Sequence, residues 1–97
     1  MEEELIELEI VSPEKPLFTG MVEWVMLPGA KAPFTVLYNH APLVSTLCAG
    51  KIKWKNGKKS DELDVMGGFV EVRNNKVTAL IEVKGENGKL KTESPRQ

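Results

Sequence analysis

Apolar and charged residues alternate along most of the first 83 positions of the chain, which is the period-2 pattern of β-strands. In the sequence LIELEIV, Ile6, Leu8 and Ile10 fall on one face and the glutamates on the other, as in a half-buried strand. In KIKWK, Ile52 and Trp54 share one face and three lysines the other. No window of twelve residues shows the period of a helix, so we predict an all-β chain.

Residues that favour tight turns separate these alternating segments. Asn56-Gly57 follows KIKWK and predicts a hairpin with a type I′ turn, whose two central residues both need positive φ. Asn74-Asn75 predicts a second hairpin, because asparagine tolerates the left-handed conformation better than most residues do. Gly67-Gly68 interrupts the alternation between the two hairpins, which predicts a bulge or a close approach of two backbones.

In the segment MVEWVML, residues 21–27, Val22, Trp24 and Met26 share one face, and the opposite face, which includes Glu23, is also mostly apolar. This pattern predicts a single strand that is covered on both sides. The preceding segment SPEKPLFTG, residues 12–20, has two prolines and a glycine, which predict a connection that turns the chain.

The close spacing of the turns predicts a small β-sandwich or flattened barrel of about ten short strands. We assign residues 1–83 to this domain, since a chain of 97 residues suits one core. Residues 84–97 have a single large apolar side chain, Leu90, and are expected to form a flexible polar tail.

The composition narrows the classes of function. A net charge of −1 gives the chain no overall attraction to nucleic acid or to anionic lipid. One histidine and one cysteine exclude, within one chain, two-histidine metal sites, multi-cysteine metal sites and an internal disulfide. We therefore expect no enzyme, no metal and no cofactor, and we expect Cys48 to be a small buried thiol. The acidic N-terminal sequence argues against a targeting peptide and favours an intracellular chain.

Five lysines lie in KIKWKNGKK, residues 51–59, with Trp54 among them, a composition that also suits a nucleic-acid surface. Because Trp54 is in phase with Ile52, its side chain is predicted to face the core and not the lysines. A solvated lysine face that protects a sheet edge is the favoured interpretation.

The segment LPGAKAPFTVLYNHAPLVSTL, residues 27–47, differs from its surroundings. It carries one full charge, Lys31, together with three prolines and the histidine. Prolines reduce the entropy that is lost when a loop is held in one shape. Leu43, Val44 and Leu47 could complete the core, but a stiff apolar loop is also typical of a protein-docking surface. This pattern favours an interaction module and leaves the partner open.

Four segments together resemble the epsilon subunits of F-type ATP synthases, in their N-terminal β-sandwich domain. They are LEIVSPEKPLFTG at 8–20, LPGAKAPFTVLYNHAPLV at 27–44, LCAG at 47–50 and MGGFVEV at 66–72. The resemblance covers residues 5 to 83. It implies a non-catalytic rotor subunit of the central stalk, which links the gamma subunit to the membrane c-ring and couples proton translocation to ATP synthesis. It also implies a peripheral position on the cytoplasmic face of the bacterial inner membrane, with membrane association only through the complex.

The resemblance also assigns contact residues by position. The gamma-facing residues that it implies are Ser12, His40, Ala41, Pro42, Leu43 and Ser45. The residues implied to face the c-ring are Gly29, Ala30 and Lys31. An exposed ion pair made by Lys31 is worth only about 0–1 kcal/mol, so buried apolar contacts around His40 to Val44 are expected to provide most of the grip. A free-standing β-sandwich adaptor that docks another protein through the same loop is the alternative.

The chain departs from the family in two respects. Ala32 and Thr35 stand at two loop glycines of the family and Tyr38-Asn39 at its proline-glycine, so the loop is expected to differ in shape. Most members continue into a C-terminal helical hairpin, whereas fourteen residues follow Val83 here. We expect this chain to lack the hairpin, its nucleotide site and its inhibition of rotation. A naturally short subunit is the favoured interpretation over a truncated one.

Overall fold

In a computed structural model of the protein, residues 4–83 are described, and they form nine β-strands and no helix. The predicted flexible tail at 84–97 lies outside the described residues. The strands are β1 (Ile6–Val11), β2 (Pro16–Val22), β3 (Trp24–Leu27), β4 (Phe34–Val36), β5 (Leu43–Leu47), β6 (Gly50–Asn56), β7 (Lys59–Val65), β8 (Gly67–Arg73) and β9 (Lys76–Glu82). No segment of this described part is a helix long and apolar enough to cross a bilayer.

The strands form two sheets that pack face to face, and the predicted β-sandwich is confirmed. Sheet A has five strands in the order β2-β1-β9-β8-β5, and sheet B has four in the order β4-β3-β6-β7. Neighbouring strands are antiparallel except β1 and β9, which run parallel within sheet A.

The core lies between the sheets and takes one face of each. Its members are almost completely buried: Ile6, Leu8, Ile10, Val22, Val25, Leu27, Val36, Leu47, Ile52, Trp54, Leu63, Val65, Val70, Val72, Val77, Ala79 and Ile81. The alternation in the sequence therefore located the inward faces of β1 and β6 correctly. Across the sandwich Phe18 packs on Trp54, with 4.7 Å between the ring centroids.

Both predicted hairpins form, and one of them turns at a different residue. The two-residue turn Asn74-Asn75 between β8 and β9 has φ of 52° and 61°, which is the type I′ pattern. Between β6 and β7, Asn56 pairs with Lys59, so the turn residues are Gly57 and Lys58. Positive φ occurs there only at Gly57, at 66°, which is the type II′ pattern. The predicted type I′ turn is wrong by one residue, because strand pairing extends through Asn56.

The strand predicted at 21–27 is two strands that belong to different sheets. β2 ends at Val22 in sheet A, the chain bends at Glu23, and β3 begins at Trp24 in sheet B. The bend is held by a hydrogen bond of 2.7 Å from the Glu23 N–H to the carbonyl oxygen of Lys55. It also shifts the phase, so that Trp24 and Met26 lie half-buried on the outer face of sheet B and do not share the inward face of Val22.

The connection predicted at 12–20 is also shorter than expected. β1 ends at Val11 and β2 already begins at Pro16, an edge-strand position that proline can occupy. The hydroxyl of Ser12 closes the short turn. It donates to the carbonyl oxygen of Lys15 over 3.0 Å and accepts the Lys15 N–H over 3.2 Å.

Gly67 and Gly68 carry the chain into β8 of sheet A from β7 of sheet B. Their φ values are 155° and 141°, which residues with side chains rarely adopt. A Cβ on Gly68 would overlap the carbonyl oxygen of Leu80 and lie 2.8 Å from the Cα of Ile81. The predicted close approach of two backbones is confirmed at this pair.

Candidate protein-docking surface

Residues 28–31 of the apolar loop lie along the outer edge of β5 and continue sheet A. Gly29 forms a β-bridge to β5, and the N–H of Ala30 donates to the carbonyl oxygen of Thr46 over 2.9 Å. Gly29 is buried, and a Cβ at this position would overlap the backbone of its own loop. Of the residues predicted to contact the c-ring, Ala30 and Lys31 are exposed and Gly29 is not.

The turn that carries His40 is held by short hydrogen bonds. The N–H of His40 donates to the carbonyl oxygen of Leu37 over 3.1 Å, and the ring Nδ1–H donates to the carbonyl oxygen of Ala41 over 2.8 Å. Asn39 has φ of 66°, and its N–H donates to Oδ1 of Asn75 over 2.6 Å. Asparagine can adopt the left-handed conformation, so this departure from the family's glycine leaves a positive-φ turn in place.

The predicted gamma-contact residues do not form one cluster. His40 follows the turn that touches Asn75, at one end of sheet A. Ser12 lies beyond the opposite end of β1, next to Val11, and is 9% exposed. Because β1 and β9 run parallel, Val11 lies beside Leu80, whereas Asn75 lies just before the start of β9. Ser12 and the His40 turn are therefore about 20 Å apart along the strands. A partner that touches both ends spans one face of sheet A.

Successive residues of β5 point to opposite sides of sheet A. Leu43 and Ser45 have the inward phase, opposite Val72 and Val70 of β8, and Leu43 packs against the core. Val44 points outward and is 71% exposed. Leu43 therefore divides its surface between the core and the sheet edge, while Val44 is the apolar side chain that β5 offers to solvent.

An apolar row crosses the outer face of sheet A, and the sequence analysis missed it. Val11 pairs with Leu80, Leu80 with Phe69, and Phe69 with Thr46. Leu80 is 41% exposed and Phe69 48% exposed. We define the apolar row as Val11, Leu80, Phe69 and, at the next outward position of β5, Val44. An exposed apolar row on a sheet face is a candidate surface for docking another protein.

A signal for this row is present in the sequence but is weak. In GGFVEV, Phe69 has the phase of the outward Glu71, and in VTALIEV, Leu80 has the phase of the outward Glu82. Large apolar side chains at outward positions are therefore the informative residues. Their meeting on adjacent strands depends on the order of strands in sheet A, which alternation does not contain.

Charged side chains border the apolar row on the same face. Nζ of Lys76 lies 3.6 Å from Glu9, and the guanidinium of Arg73 lies 3.4 Å from Glu71. Glu71 and Arg73 also line a shallow cavity of about 330 Å³ beside Pro42. An apolar centre with a charged, solvated rim is the usual anatomy of a protein–protein interface.

The outer face of sheet B has a different character. Trp54 faces the core, as predicted, and the lysines of β6 face solvent. Nζ of Lys51 binds Asp64 over 2.7 Å and lies 3.7 Å from Glu62. The hydrogen bond and charge of Asp64 raise the pKa of Lys51 above its ordinary value of 10.5. These features agree with a solvated lysine face that is partly ion-paired.

The cysteine is not where the sequence analysis placed it. Cys48 is exposed, so the predicted buried thiol is wrong. The reason is that β5 ends at Leu47, after which the Cys48 N–H binds the carbonyl oxygen of Pro28 outside the regular sheet. Within residues 4–83, His, Cys, Asp and Glu side chains form no group of three or more that could hold a metal ion.

Two packed sheets, antiparallel except for the β1–β9 pair, define a small all-β sandwich domain, and its sheet A carries the apolar row on the outer face. The sequence profile of the ATP synthase, Delta/Epsilon chain, β-sandwich domain matches residues 5–87, and the chain belongs to this family. It is 41% identical over 75 residues to the ATP synthase epsilon chain of Leptospira borgpetersenii, which covers 77% of this chain and 59% of that relative. It is 42% identical over 77 residues to the ATP synthase epsilon chain of Caulobacter vibrioides, covering 79% of this chain and 90% of that relative.

Solved structures with the same fold come from ATP synthases. The chain matches one in the Euglena gracilis mitochondrial ATP synthase (OSCP/F1/c-ring) with a TM-score of 0.76 and 22% identity, over 80% of this chain and 51% of that one. It matches another in the central stalk/c-ring of the Tetrahymena thermophila mitochondrial ATP synthase with a TM-score of 0.68 and 17% identity, over 84% and 66%. The chain therefore spans about three fifths of the Leptospira relative and nine tenths of the Caulobacter relative.

Proposed function

We propose that the chain is a non-catalytic subunit of the central stalk of an F-type ATP synthase. It links the gamma subunit to the membrane c-ring, so that ring rotation driven by proton translocation reaches the catalytic part of the enzyme. The observation that carries the proposal is the exposed apolar row, which suits a permanent protein partner, on a domain of a family whose similar relatives are named ATP synthase epsilon chain. In bacteria, this position is peripheral, on the cytoplasmic face of the inner membrane.

The gamma subunit covers the outer face of sheet A in this proposal. The apolar row crosses that face between the two regions that carry predicted gamma contacts, Ser12 at one end and His40 to Leu43 at the other. A few central apolar anchors carry most of the energy of an interface, so in this proposal Phe69 and Leu80 supply the grip together with the segment His40 to Val44. Ser12 contributes through the turn that its hydroxyl closes, because little of its own surface is accessible.

The c-ring contact is the loop tip at Ala30 and Lys31. Thr46 joins this tip to the gamma surface, because its carbonyl oxygen accepts the Ala30 N–H while Thr46 also pairs with Phe69 of the apolar row. A lateral force on the tip is thus carried across sheet A by backbone hydrogen bonds and not by a flexible linker. This stiffness is the mechanical property that a rotor connection requires.

The test of the proposed function is co-purification of the full chain with its cognate gamma subunit and c-ring. We expect one complex that contains all three, and we expect gamma alone to bind in the absence of the ring. Failure of the folded chain to bind gamma would overturn the proposal and favour the free-standing adaptor. The same experiment with unrelated bacterial lysate as competitor measures whether gamma is the preferred partner.

Negative charges introduced at the loop tip test whether the c-ring contact is distinct from the gamma contact. We expect Lys31→Glu together with Ala30→Glu to weaken c-ring association by about tenfold, because two new carboxylates are desolvated at the contact. Binding of gamma should stay within twofold, measured by the same co-purification or by titration. Lys58→Glu together with Ser60→Glu is the matched control, since this pair makes the same total charge change at exposed positions beside the turn between β6 and β7. Equal losses in both variants would show that the tip makes no specific ring contact.

A further inference from the structure

Two left-handed turns that are distant in sequence meet at one end of sheet A. One is the turn at Asn39, which precedes His40, and the other is the Asn74-Asn75 turn between β8 and β9. The Asn39 N–H donates to Oδ1 of Asn75 over 2.6 Å, and Nδ2 of Asn75 donates to Oδ1 of Asn39 over 3.4 Å. The two asparagines thus form a reciprocal pair of hydrogen bonds, which we call the asparagine clasp.

Apart from the direct continuation of the chain into β5 at Leu43, the clasp is what attaches the His40 turn to sheet A. Outside strand pairing, the other hydrogen bonds of the described residues 37–42 are local, from the His40 N–H to Leu37 and from the His40 ring to Ala41. Leu37 and Tyr38 are exposed, so core packing does not hold this turn either. Its position relative to the outer face of sheet A therefore depends on Asn75.

The two members of the Asn74-Asn75 turn have different roles. Both have positive φ, but Asn75 is half-buried and bonded to Asn39, whereas the Asn74 side chain is exposed and makes no hydrogen bond in the described structure. The backbone of Asn75 also accepts the Glu7 N–H over 3.0 Å, a bond that does not need its side chain. Side-chain removal at Asn75 therefore breaks the clasp and leaves the hairpin turn intact.

We propose that Asn75 is a positioning residue for the gamma-contact segment from His40 to Pro42. This inference rests on the proposed function and deepens it: Asn75 holds a partner-binding segment in its bound shape without itself forming part of the contact. Preorganisation of this kind strengthens binding because less conformational freedom is lost when the partner docks. Asparagine at position 39 adds the second bond of the clasp, which a glycine has no side chain to make.

The experiment compares Asn75→Gly with Asn74→Gly in the full chain. Both changes suit positive φ and raise the entropy of the unfolded chain equally, so their difference isolates the clasp. Hydrogen exchange of the Asn39 amide, followed by NMR, should speed up about threefold to tenfold in Asn75→Gly and stay unchanged in Asn74→Gly. Binding of the gamma subunit should weaken by a similar factor in Asn75→Gly alone, and the thermal midpoint of Asn75→Gly should lie below that of Asn74→Gly by only the few degrees that one hydrogen bond is worth.

Asn75→Asp is the rescue variant, because its carboxylate still accepts the Asn39 N–H. It should restore protection of the Asn39 amide and at least half of the lost binding free energy. Faster exchange in Asn75→Gly with unchanged gamma affinity would overturn the positioning role while the proposed function stands. If the wild-type chain itself does not bind gamma, the proposed function fails, and the positioning role fails with it even where the exchange result shows that the clasp exists.

Discussion

Replacement of Phe69 by serine is expected to weaken binding of the gamma subunit at least about thirtyfold while the sandwich stays folded. Phe69 is the largest side chain of the apolar row and lies at its centre, between Leu80 and Thr46. Central aromatic anchors of an interface commonly cost about 2 kcal/mol or more on truncation, which is the same thirtyfold change. About half of its surface is already exposed in the free chain, so its loss leaves the core between the sheets intact.

Met26→Ser is the matched control for Phe69→Ser. Met26 lies half-buried on the outer face of sheet B, where it pairs with Thr35 and Lys53, so it is not on the face that the gamma subunit covers in this proposal. Titration of each variant with gamma, alongside thermal unfolding, separates binding from stability. A similar small loss in both variants would mean that the row is not the centre of the contact. A large drop in the unfolding midpoint of Phe69→Ser would mean that Phe69 is a structural residue.

Gly68→Ala is expected to destabilise the fold by about 3 kcal/mol or more. The backbone there has φ of 141°, and the added methyl group would overlap the carbonyl oxygen of Leu80. Strained backbone of this kind costs about 1–3 kcal/mol, and steric overlap adds to it. Leu80 cannot move aside easily, because β9 is paired on both sides, with β8 and with β1. Urea unfolding of the variant measures the change directly.

Gly57→Ala is the matched control for the loss of stability expected in Gly68→Ala. Gly57 also has positive φ, at 66°, but nothing lies within 4 Å of the position that its Cβ would occupy. Only the positive-φ backbone is then penalised, at about 1–3 kcal/mol. The difference between the two variants isolates the close approach of β8 and β9. Equal free energies of unfolding would contradict the overlap that the geometry describes.

Much of the fold could be predicted from the sequence wherever the two faces of a strand differ in chemistry. Glutamates opposite Ile6, Leu8 and Ile10 defined one face of β1, and the lysines did the same for β6. The bend at Glu23 could not be found in this way, because Glu23 is the one charged residue of 21–27 and the rest of both faces is apolar, which leaves the phase of the segment undetermined. It results from the chain leaving sheet A for sheet B, which is a property of the whole fold.

The docking surface was predicted only in part for a related reason. Loop composition pointed to residues 27–47, and Ala30, Lys31 and Val44 are indeed exposed there. Phe69 and Leu80 belong to strands whose inward residues looked ordinary, so they drew no attention. They become neighbours of Val11 only because the first and last described strands pair in parallel. The six predicted gamma contacts and three predicted c-ring contacts remain predictions.

The parallel pairing of β1 and β9 also affects the order in which the domain can be made. β1 is synthesised before the other described strands, but β9, one of its two neighbours in sheet A, follows only after the seven strands from β2 to β8 have been synthesised. Until β9 arrives, one edge of β1 stays unpaired and the sandwich lacks a middle strand. Contacts of such long sequence separation fold slowly, in about milliseconds to seconds. Folding of the sandwich, and with it assembly with a partner, is therefore expected to follow synthesis of the whole domain.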